Sequence, residues 1–308
     1  SNKQKVSSLK IAKEEAIRIG YPIMLKAASG GGGRGMRILY KSEDLDIAFD
    51  EARREAKNAF GDDTVFLEKY VEEPKHIEVQ IAGDRHGNIV HLYERDCSVQ
   101  RRFQKVIEVA PSLGVSESIR EKLFQYALAI AEEVKYNNVG TVEFLVDKDG
   151  SIYFIEVNPR IQVEHTVTEM VTGIDLIKTQ IFIAGGYKLS DQQIKIPNQE
   201  SIKLNGFAMQ CRITTEDPEN NFQPDYGTIT TYRSAVGFGI RLDAGSLYQG
   251  VTVSPFFDSM LVKVSAKSRT LDGACRKMDR ALREFRIRGV KTNMPFLLNL
   301  IRHPKFVE

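Results

Sequence analysis

The stretch that most constrains this chain runs from Gly140-Thr-Val-Glu143-Phe-Leu-Val-Asp147 through Ile152-Tyr-Phe-Ile-Glu156-Val-Asn158-Pro-Arg160-Ile-Gln162-Val-Glu164-His165. Two strand-forming runs flank Asp147-Lys-Asp-Gly150, whose residues favour a turn, so the spacing predicts an antiparallel hairpin. Side chains alternate along a strand, which puts Ile152, Phe154, Glu156 and Asn158 on one side. A four-residue loop pairs Val146 with Ser151 and sets Glu143 beside Phe154, on the Glu156 face. Pro159 ends the second strand, and Arg160, Gln162 and Glu164 alternate along the extended run beyond it. Two carboxylates and a carboxamide on one face suit magnesium carrying a polyphosphate, because that ion takes a few protein oxygens and fills its shell with phosphate oxygens. The same pattern also fits the solvent face of a half-exposed hairpin.

A glycine run narrows the field. Ile23-Met-Leu-Lys26 reads as a strand, Gly30 to Gly33 with Arg34 and Gly35 follow, and Met36-Arg-Ile-Leu-Tyr40 resumes as a strand. Successive glycines let backbone N–H groups wrap an anion. A Walker loop or a dinucleotide fingerprint leads into a helix, whereas these glycines lead into a strand. Two readings remain: a lid folding over phosphates, with Lys26 pairing one of them, or a disordered glycine hairpin.

Elsewhere, Leu9–Ile19 reads as a short amphipathic helix, and Ser42 as the N-cap of a helix reaching Ala59. Thr64–Val71 reads as a strand, and His76–Ile81 with Ile89–Glu94 as a strand pair. Arg95–Lys105 reads as a basic, solvated loop, with Lys105 placed to meet a small anion. Ser118-x-x-Glu121 reads as a capping box, and one helix is expected from about Thr166 to Ala184, ended by Gly185-Gly186. Polar Ser190–Ser201 reads as a linker, followed by short strands and a helix near Leu271–Phe285. At 308 residues, 42% hydrophobic, 27% charged and with a net charge of +2, the chain is of ordinary globular composition, with no case for nucleic acid or membrane. Cys97, Cys211 and Cys275 are far apart and lack C-x-x-C spacing, which argues against a disulfide framework or zinc. They point to a reducing, cytoplasmic compartment, or the mitochondrial matrix for a eukaryotic chain.

Taken together, Lys26, the glycine run, Glu68-Lys69-Tyr70 and Glu143…Glu156-x-Asn158-x-Arg160 resemble the ATP-grasp superfamily. Within it, Glu94-Arg-Asp-Cys-Ser-Val-Gln-Arg-Arg102 and Arg160-Ile-Gln-Val-Glu164-His165 resemble the biotin carboxylase branch. Thr214–Pro218, Phe257–Lys263 and Glu284–Asn293 are most similar to the biotin carboxylase region of pyruvate carboxylases. The resemblance runs over nearly the whole chain and implies an α+β fold. Its expected parts are an ATP-grasp lid subdomain (1–70), an ATP-grasp antiparallel-sheet core with the metal and bicarbonate site (71–198), and a biotin carboxylase C-terminal α+β domain (199–308). It also implies that the family's N-terminal domain, roughly 100 residues, and the carboxyltransferase and biotin-carrier regions lie outside this chain.

Residue by residue, the resemblance implies that Lys26 holds a nucleotide phosphate while Gly32 and Gly33 close over the phosphates. Glu68, Lys69 and Val71 would frame adenine, His76 the ribose and Leu145 the face of the base, with Met36 and Gln100 also on the cofactor side. Glu143, Glu156 and Asn158 would bind magnesium or manganese. Lys105, Arg160, Gln162, Val163 and Glu164 would surround bicarbonate, with Glu164 as general base, and Arg212 would meet bicarbonate and the ureido oxygen of biotin. Phe103 stands where the family usually has His.

The implied activity is ATP- and bicarbonate-dependent carboxylation of biotin through carboxyphosphate, the first half of converting pyruvate to oxaloacetate. ATP, Mg²⁺ or Mn²⁺ and biotin are the implied cofactors. A biotin carrier domain, a carboxyltransferase region and a second copy of the chain are the implied partners, with Arg241 a candidate pairing residue. Bicarbonate needs a base to become a nucleophile, and a carboxylate flanked by Arg160 should be ionised at neutral pH. Competing readings are a biotin carboxylase subunit of an acyl-CoA carboxylase, a nucleotide-binding or assembly module without turnover, and a ligase joining a carboxylate to an amine.

Overall fold

The computed structural model describes residues 6, 8–29, 36–245 and 247–307. They cluster into two compact units, one of residues up to Pro74 with Gln100–Gln104 and Asp147–Asp149, the other of Lys75–Val99, Lys105–Val146 and Gly150 onward.

In the first unit, β1 (Ile23–Ala27), β2 (Met36–Leu39) and β3 (Val65–Lys69) form an antiparallel sheet in the order β2-β1-β3. Period-two alternation sends Ile23, Leu25 and Leu67 inward against Ala12 and Ala16 of α1 (Leu9–Ile19) and Phe49 of α2 (Leu45–Phe60). Ser8 caps α1 by accepting from the Ile11 N–H at 3.4 Å. Ser42 does not cap α2 as expected: it opens a 3₁₀ turn, Ser42–Asp44, and the helix begins at Leu45 without a side-chain cap. Gly32 and Gly33 lie outside the described residues.

The second unit is built on an eight-stranded antiparallel sheet. Its strands are β4 (Lys75–Gly83), β5 (Ile89–Arg101), β6 (Gln104–Ala110), β7 (Asn138–Val146), β8 (Ile152–Asn158), β9 (Phe207–Thr214), Ile240–Ala244 and Met260–Ser268. From edge to edge they run Ile240–Ala244, Met260–Ser268, β9, β6, β5, β4, β7, β8. The apolar side of β4, Ile77, Val79 and Ile81, packs on Leu123, Ala127 and Ala131 of α3 (Glu117–Glu133). Further along, Met209, Cys211 and Val264 pack on Ala274, Met278 and Leu282 of the helix Leu271–Glu284. The expected boundary at 198/199 falls inside this unit, where strands from both sides of it share one sheet.

Several expectations need correction. Arg95–Lys105 is not a loop: β5 continues to Arg101, and Arg102 and Phe103, with φ of 50° and 65°, make a two-residue turn into β6. The cap of α3 is Ser116, whose hydroxyl accepts from the Ile119 N–H, rather than Ser118. The long helix is two, α4 (His165–Thr172) and α5 (Leu176–Ala184), divided at Gly173 with its φ of 74°.

The β7–β8 hairpin also differs in register. Val146 faces Ile152 across the loop Asp147–Ser151, and Phe144 faces Phe154. Ile155 is then an extra residue, so Glu156 faces Glu143. Ile152 and Phe154 therefore lie on one face, Glu156 and Asn158 on the other. Glu143 still shares a face with Glu156, but through a bulge and not through a four-residue loop. The three cysteines are buried thiols, none in a disulfide, and among the described residues no helix is long and apolar enough to cross a membrane.

Candidate active site

Strand register lines charges up across the second unit's sheet. Arg95 of β5 faces Glu78 of β4, Glu78 faces Glu143 of β7, and Glu143 faces Glu156 of β8. Opposed residues of antiparallel strands share a face, so three carboxylates stand in a row beside one arginine. Like charges directly opposite repel, which makes cations part of the design.

Arg95 supplies the first. Its guanidinium is fully buried and donates to Glu78 Oε2 at 3.0 and 3.2 Å, to Gln80 Oε1 at 2.7 Å, to Thr141 Oγ1 at 3.0 Å, to Thr168 Oγ1 of α4 at 3.1 Å and to Gln162 Oε1 at 2.8 Å. Lys105, at the start of β6, supplies the second. Its ammonium contacts Glu78 Oε1 and donates to Glu143 Oε1 at 3.0 Å and to Glu164 Oε1 at 2.8 Å. Arg212 of β9 supplies the third, donating to Glu164 Oε2 at 3.1 Å.

Glu143 is the most heavily bonded of the carboxylates. It accepts from Lys105, from Gln162 Nε2 at 2.7 Å and from Asn158 Nδ2 at 2.8 Å, and it bonds His76 Nε2 at 2.7 Å. Burial opposes its ionisation, but the His76 hydrogen bond and the Lys105 charge outweigh burial and bring its pKa down to about 2. Glu164 is only 2% exposed, and burial likewise works against its charge. Lys105, Arg95 and Arg212 overcome that and hold its carboxyl below the ordinary range. It is a buried carboxylate kept ionised by cations on both oxygens.

Glu143, Glu156 and Asn158 do converge on one face. Asn158 Nδ2 bridges the two carboxylates, at 2.8 Å to Glu143 and 3.2 Å to Glu156. Arg95 and Lys105 serve the inner carboxylates, while Glu156 lies exposed at the sheet edge. Two carboxylates and an amide that can turn its oxygen toward them are an apt donor set for a hard divalent cation. His76, Glu78 and Glu143 also bring ligand atoms within 4.8 Å of one another.

Arg160 departs from expectation. It is exposed, donating to Asn158 Oδ1 and the Ile161 carbonyl at 3.2 Å each, and the cations acting on Glu164 are Lys105, Arg95 and Arg212 instead. Val163 offers its carbonyl to Lys263 Nζ at 3.1 Å. Leu145 sits on β7 opposite His76 and Tyr153, and Gln100 falls near the end of β5. In the first unit, Lys26 Nζ lies 2.5 Å from Glu68 Oε2, and Met36 pairs across from Lys26. Lys69 donates to the carbonyls of Gly20 and Tyr21 at 3.0 Å each, and Val71 is buried.

Glu78, Arg95, Glu108 and Lys263 were not expected in this cluster. The available signal was polar alternation in Ile77-Glu78-Val79-Gln80-Ile81. It reads as a solvated face unless one knows that α4 covers it.

Residues 1–192 match the family model described as carbamoyl-phosphate synthase L chain, ATP binding domain, and residues 210–308 match the biotin carboxylase C-terminal domain. The chain is 56% identical over 303 residues to a pyruvate carboxylase of Staphylococcus aureus, covering 98% of this chain and 26% of that protein. Its fold superposes with a TM-score of 0.94 on a biotin carboxylase–βγ-ATP complex from Campylobacter jejuni, at 45% identity, covering 99% of this chain and 67% of that one. The TM-score is also 0.94 to the biotin carboxylase domain dimer of Hydrogenobacter thermophilus 2-oxoglutarate carboxylase in complex with MgADP, ADP and bicarbonate, at 44% identity over 99% of this chain and 66% of that one. The chain spans about a quarter of the length of the pyruvate carboxylases it matches.

Proposed function

Because the chain belongs to the biotin carboxylase family, with an ATP-binding domain of the carbamoyl-phosphate synthase kind ahead of a biotin carboxylase C-terminal domain, we propose that it carboxylates biotin at the expense of ATP and bicarbonate. One observation carries this reading: Glu164 is buried with one oxygen on Lys105 and the other on Arg212. A carboxylate so placed is ionised and ready to take a proton, beside cations that suit the anion it creates.

In the proposed sequence, Glu164 takes the proton of bicarbonate. A carbonate oxygen then bonds to the γ-phosphorus of ATP as the bond to the leaving ADP oxygen breaks, giving carboxyphosphate. Lys105 and Arg212 offset the negative charge gathered at the reacting groups. Carboxyphosphate cleaves to CO₂ and phosphate; the phosphate accepts the N1′ proton of biotin, and N1′ attacks CO₂. Arg212 then faces the charge developing on the ureido oxygen. Glu143, Glu156 and Asn158 would hold the Mg²⁺ or Mn²⁺, which supplies charge neutralisation to the phosphates.

In the first unit we assign Lys26 to a nucleotide phosphate. Its pair with Glu68 is partly exposed, so exchanging that carboxylate for phosphate costs little. We further infer that a carrier domain presents the biotin, that a carboxyltransferase region passes the carboxyl group on to pyruvate, and that two copies of the chain pair.

The test is ADP release with Mg-ATP, with and without bicarbonate and free biotin. Glu164→Gln is expected to lower bicarbonate-dependent release by about 10²- to 10⁴-fold, the usual worth of a general base, with nucleotide affinity unchanged. Loss of nucleotide binding in that variant would overturn the base assignment. A wild-type protein indifferent to bicarbonate and biotin would overturn the function.

A further inference from the structure

Glu108 takes no part in the reaction above, yet it is fully buried on β6 with both oxygens engaged. Oε1 accepts from Arg212 Nε at 2.6 Å and lies 2.5 Å from Nη2, and Oε2 accepts from Gln210 Nε2 at 2.9 Å. The pairing of β6 with β9 sets Glu108 directly opposite Gln210. Gln210 in turn accepts from the Thr166 hydroxyl, which lies 3.0 Å from that of Ser265. Thr166 stands in the first turn of α4, two residues after Glu164. A buried relay thus joins the strand bearing Arg212 to the helix start bearing the base.

Arginine is long and flexible, but its guanidinium is planar, so fixing one edge fixes the direction of the remaining nitrogen. Glu108 holds the Nε/Nη2 edge, and Nη2 is shared with Glu164. Nη1 makes no hydrogen bond among the described residues, and the side chain keeps 20% of its surface open. The edge turned to the protein is saturated, and the open nitrogen is left for a substrate oxygen.

We propose that Glu108 is a positioning residue that aims Arg212 at the reacting oxygen and keeps it from collapsing as a two-pronged fork onto Glu164. The inference rests on the proposed function and deepens it. Charge matters here as well as shape. Arg212 lies between two carboxylates, and without the Glu108 charge its whole attraction falls on the base. Burial and the nearby Glu164 push the Glu108 carboxyl upward, with Arg212 opposing, as expected of a carboxylate held in place against repulsion.

The experiment compares wild type with Glu108→Gln. The replacement is isosteric, and the Gln210 amide and Thr166 hydroxyl can reverse to keep the relay, so mainly the charge is lost. Expected are a folded protein with nucleotide affinity within about twofold of wild type and a kcat for biotin-dependent ADP release lower by on the order of 10²-fold, the cost of a misaimed group. On an Arg212→Lys background the same change should add less than about twofold, because residues acting as a unit are not additive. Unchanged kcat in an active protein, or full additivity in the double variant, would overturn the inference alone. An inactive wild type would overturn the proposed reaction as well. Should Glu108→Gln fail to fold, Thr166→Val at the far end of the relay is expected to lower kcat several-fold at unchanged nucleotide affinity, and an unchanged kcat there would overturn it.

Discussion

Two lysine–glutamate pairs, one in each unit, are alike in length and unlike in consequence. Lys26 and Glu68 meet at 2.5 Å with side chains 23% and 31% exposed, whereas Lys105 and Glu164 meet at 2.8 Å with 15% and 3% exposed. Near water, such a pair is worth about 0–1 kcal/mol and is readily exchanged for another anion. In the interior, each ion forfeits several kcal/mol of hydration, roughly speaking, which only a set of partners can offset. The second pair has that set: Lys105 touches three carboxylates, and Glu164 two cations. The covering element makes the difference. Segment 160–164 and α4 lie over the polar side of β4 and β5, where Gln162 and Thr168 bond Arg95. One pair is exchangeable; the other is a fixed field built before any substrate arrives.

The comparison breaks most visibly at Arg95. Arg95→Met leaves Glu78 Oε2 without its donor, with Lys105 still on Oε1, and removes a hydrogen-bond partner from Gln80, Thr141, Gln162 and Thr168, so a loss of about 3–5 kcal/mol in unfolding free energy is expected. Urea denaturation measures it, and a loss below about 1 kcal/mol would place Arg95 in the same class as Lys26.

A buried group without an ion partner sharpens the contrast. His91 stacks on Phe124 at 3.9 Å between centroids, and burial brings its pKa down to about 4 from 6.5. Between those values the unfolded chain binds the proton and the folded chain does not. The His91 contribution to stability is therefore full above pH 6.5 and falls as pH drops toward 4, by roughly 3 kcal/mol in all. The difference between unfolding free energies at pH 7 and pH 4.5 should narrow in His91→Phe; an undiminished pH slope in that variant would assign the effect elsewhere.

The smallest effect belongs to the first unit. Lys26→Met is expected to change stability by less than about 1 kcal/mol, and the change should shrink further in high salt. A larger, salt-insensitive loss would mean that this pair too is part of a fixed network.

Much of the site could be seen in the residues themselves. Glu143, Glu156 and Asn158 do share a face, and Lys105 bonds Glu164 and shares Glu143 Oε1 with Gln162. The misreadings have physical causes. A charged run such as Arg95–Lys105 resembles a loop because loops are where charges are ordinarily solvated, and nothing local tells that β5 lies inside an eight-stranded sheet. Arg160 and Glu164 are close in sequence, but the turn between them sends Arg160 to solvent and Glu164 inward. Ser116 and Ser118 compete for one cap, and only the path of the preceding chain decides. The bulge at Ile155 escapes any count of alternating positions, since it breaks the alternation that the count assumes.

That bulge gives the hairpin one residue of slack. Closing it would keep Glu156 opposite Glu143 and Asn158 opposite Thr141, so the ladder can absorb a single deletion between Tyr153 and Ile155 without turning the acidic row over. A deletion at Val157 has no such reserve: Asn158 would swing to the opposite face. Over evolutionary time, length changes in this hairpin should gather at the loop and the bulge and avoid Glu156–Asn158.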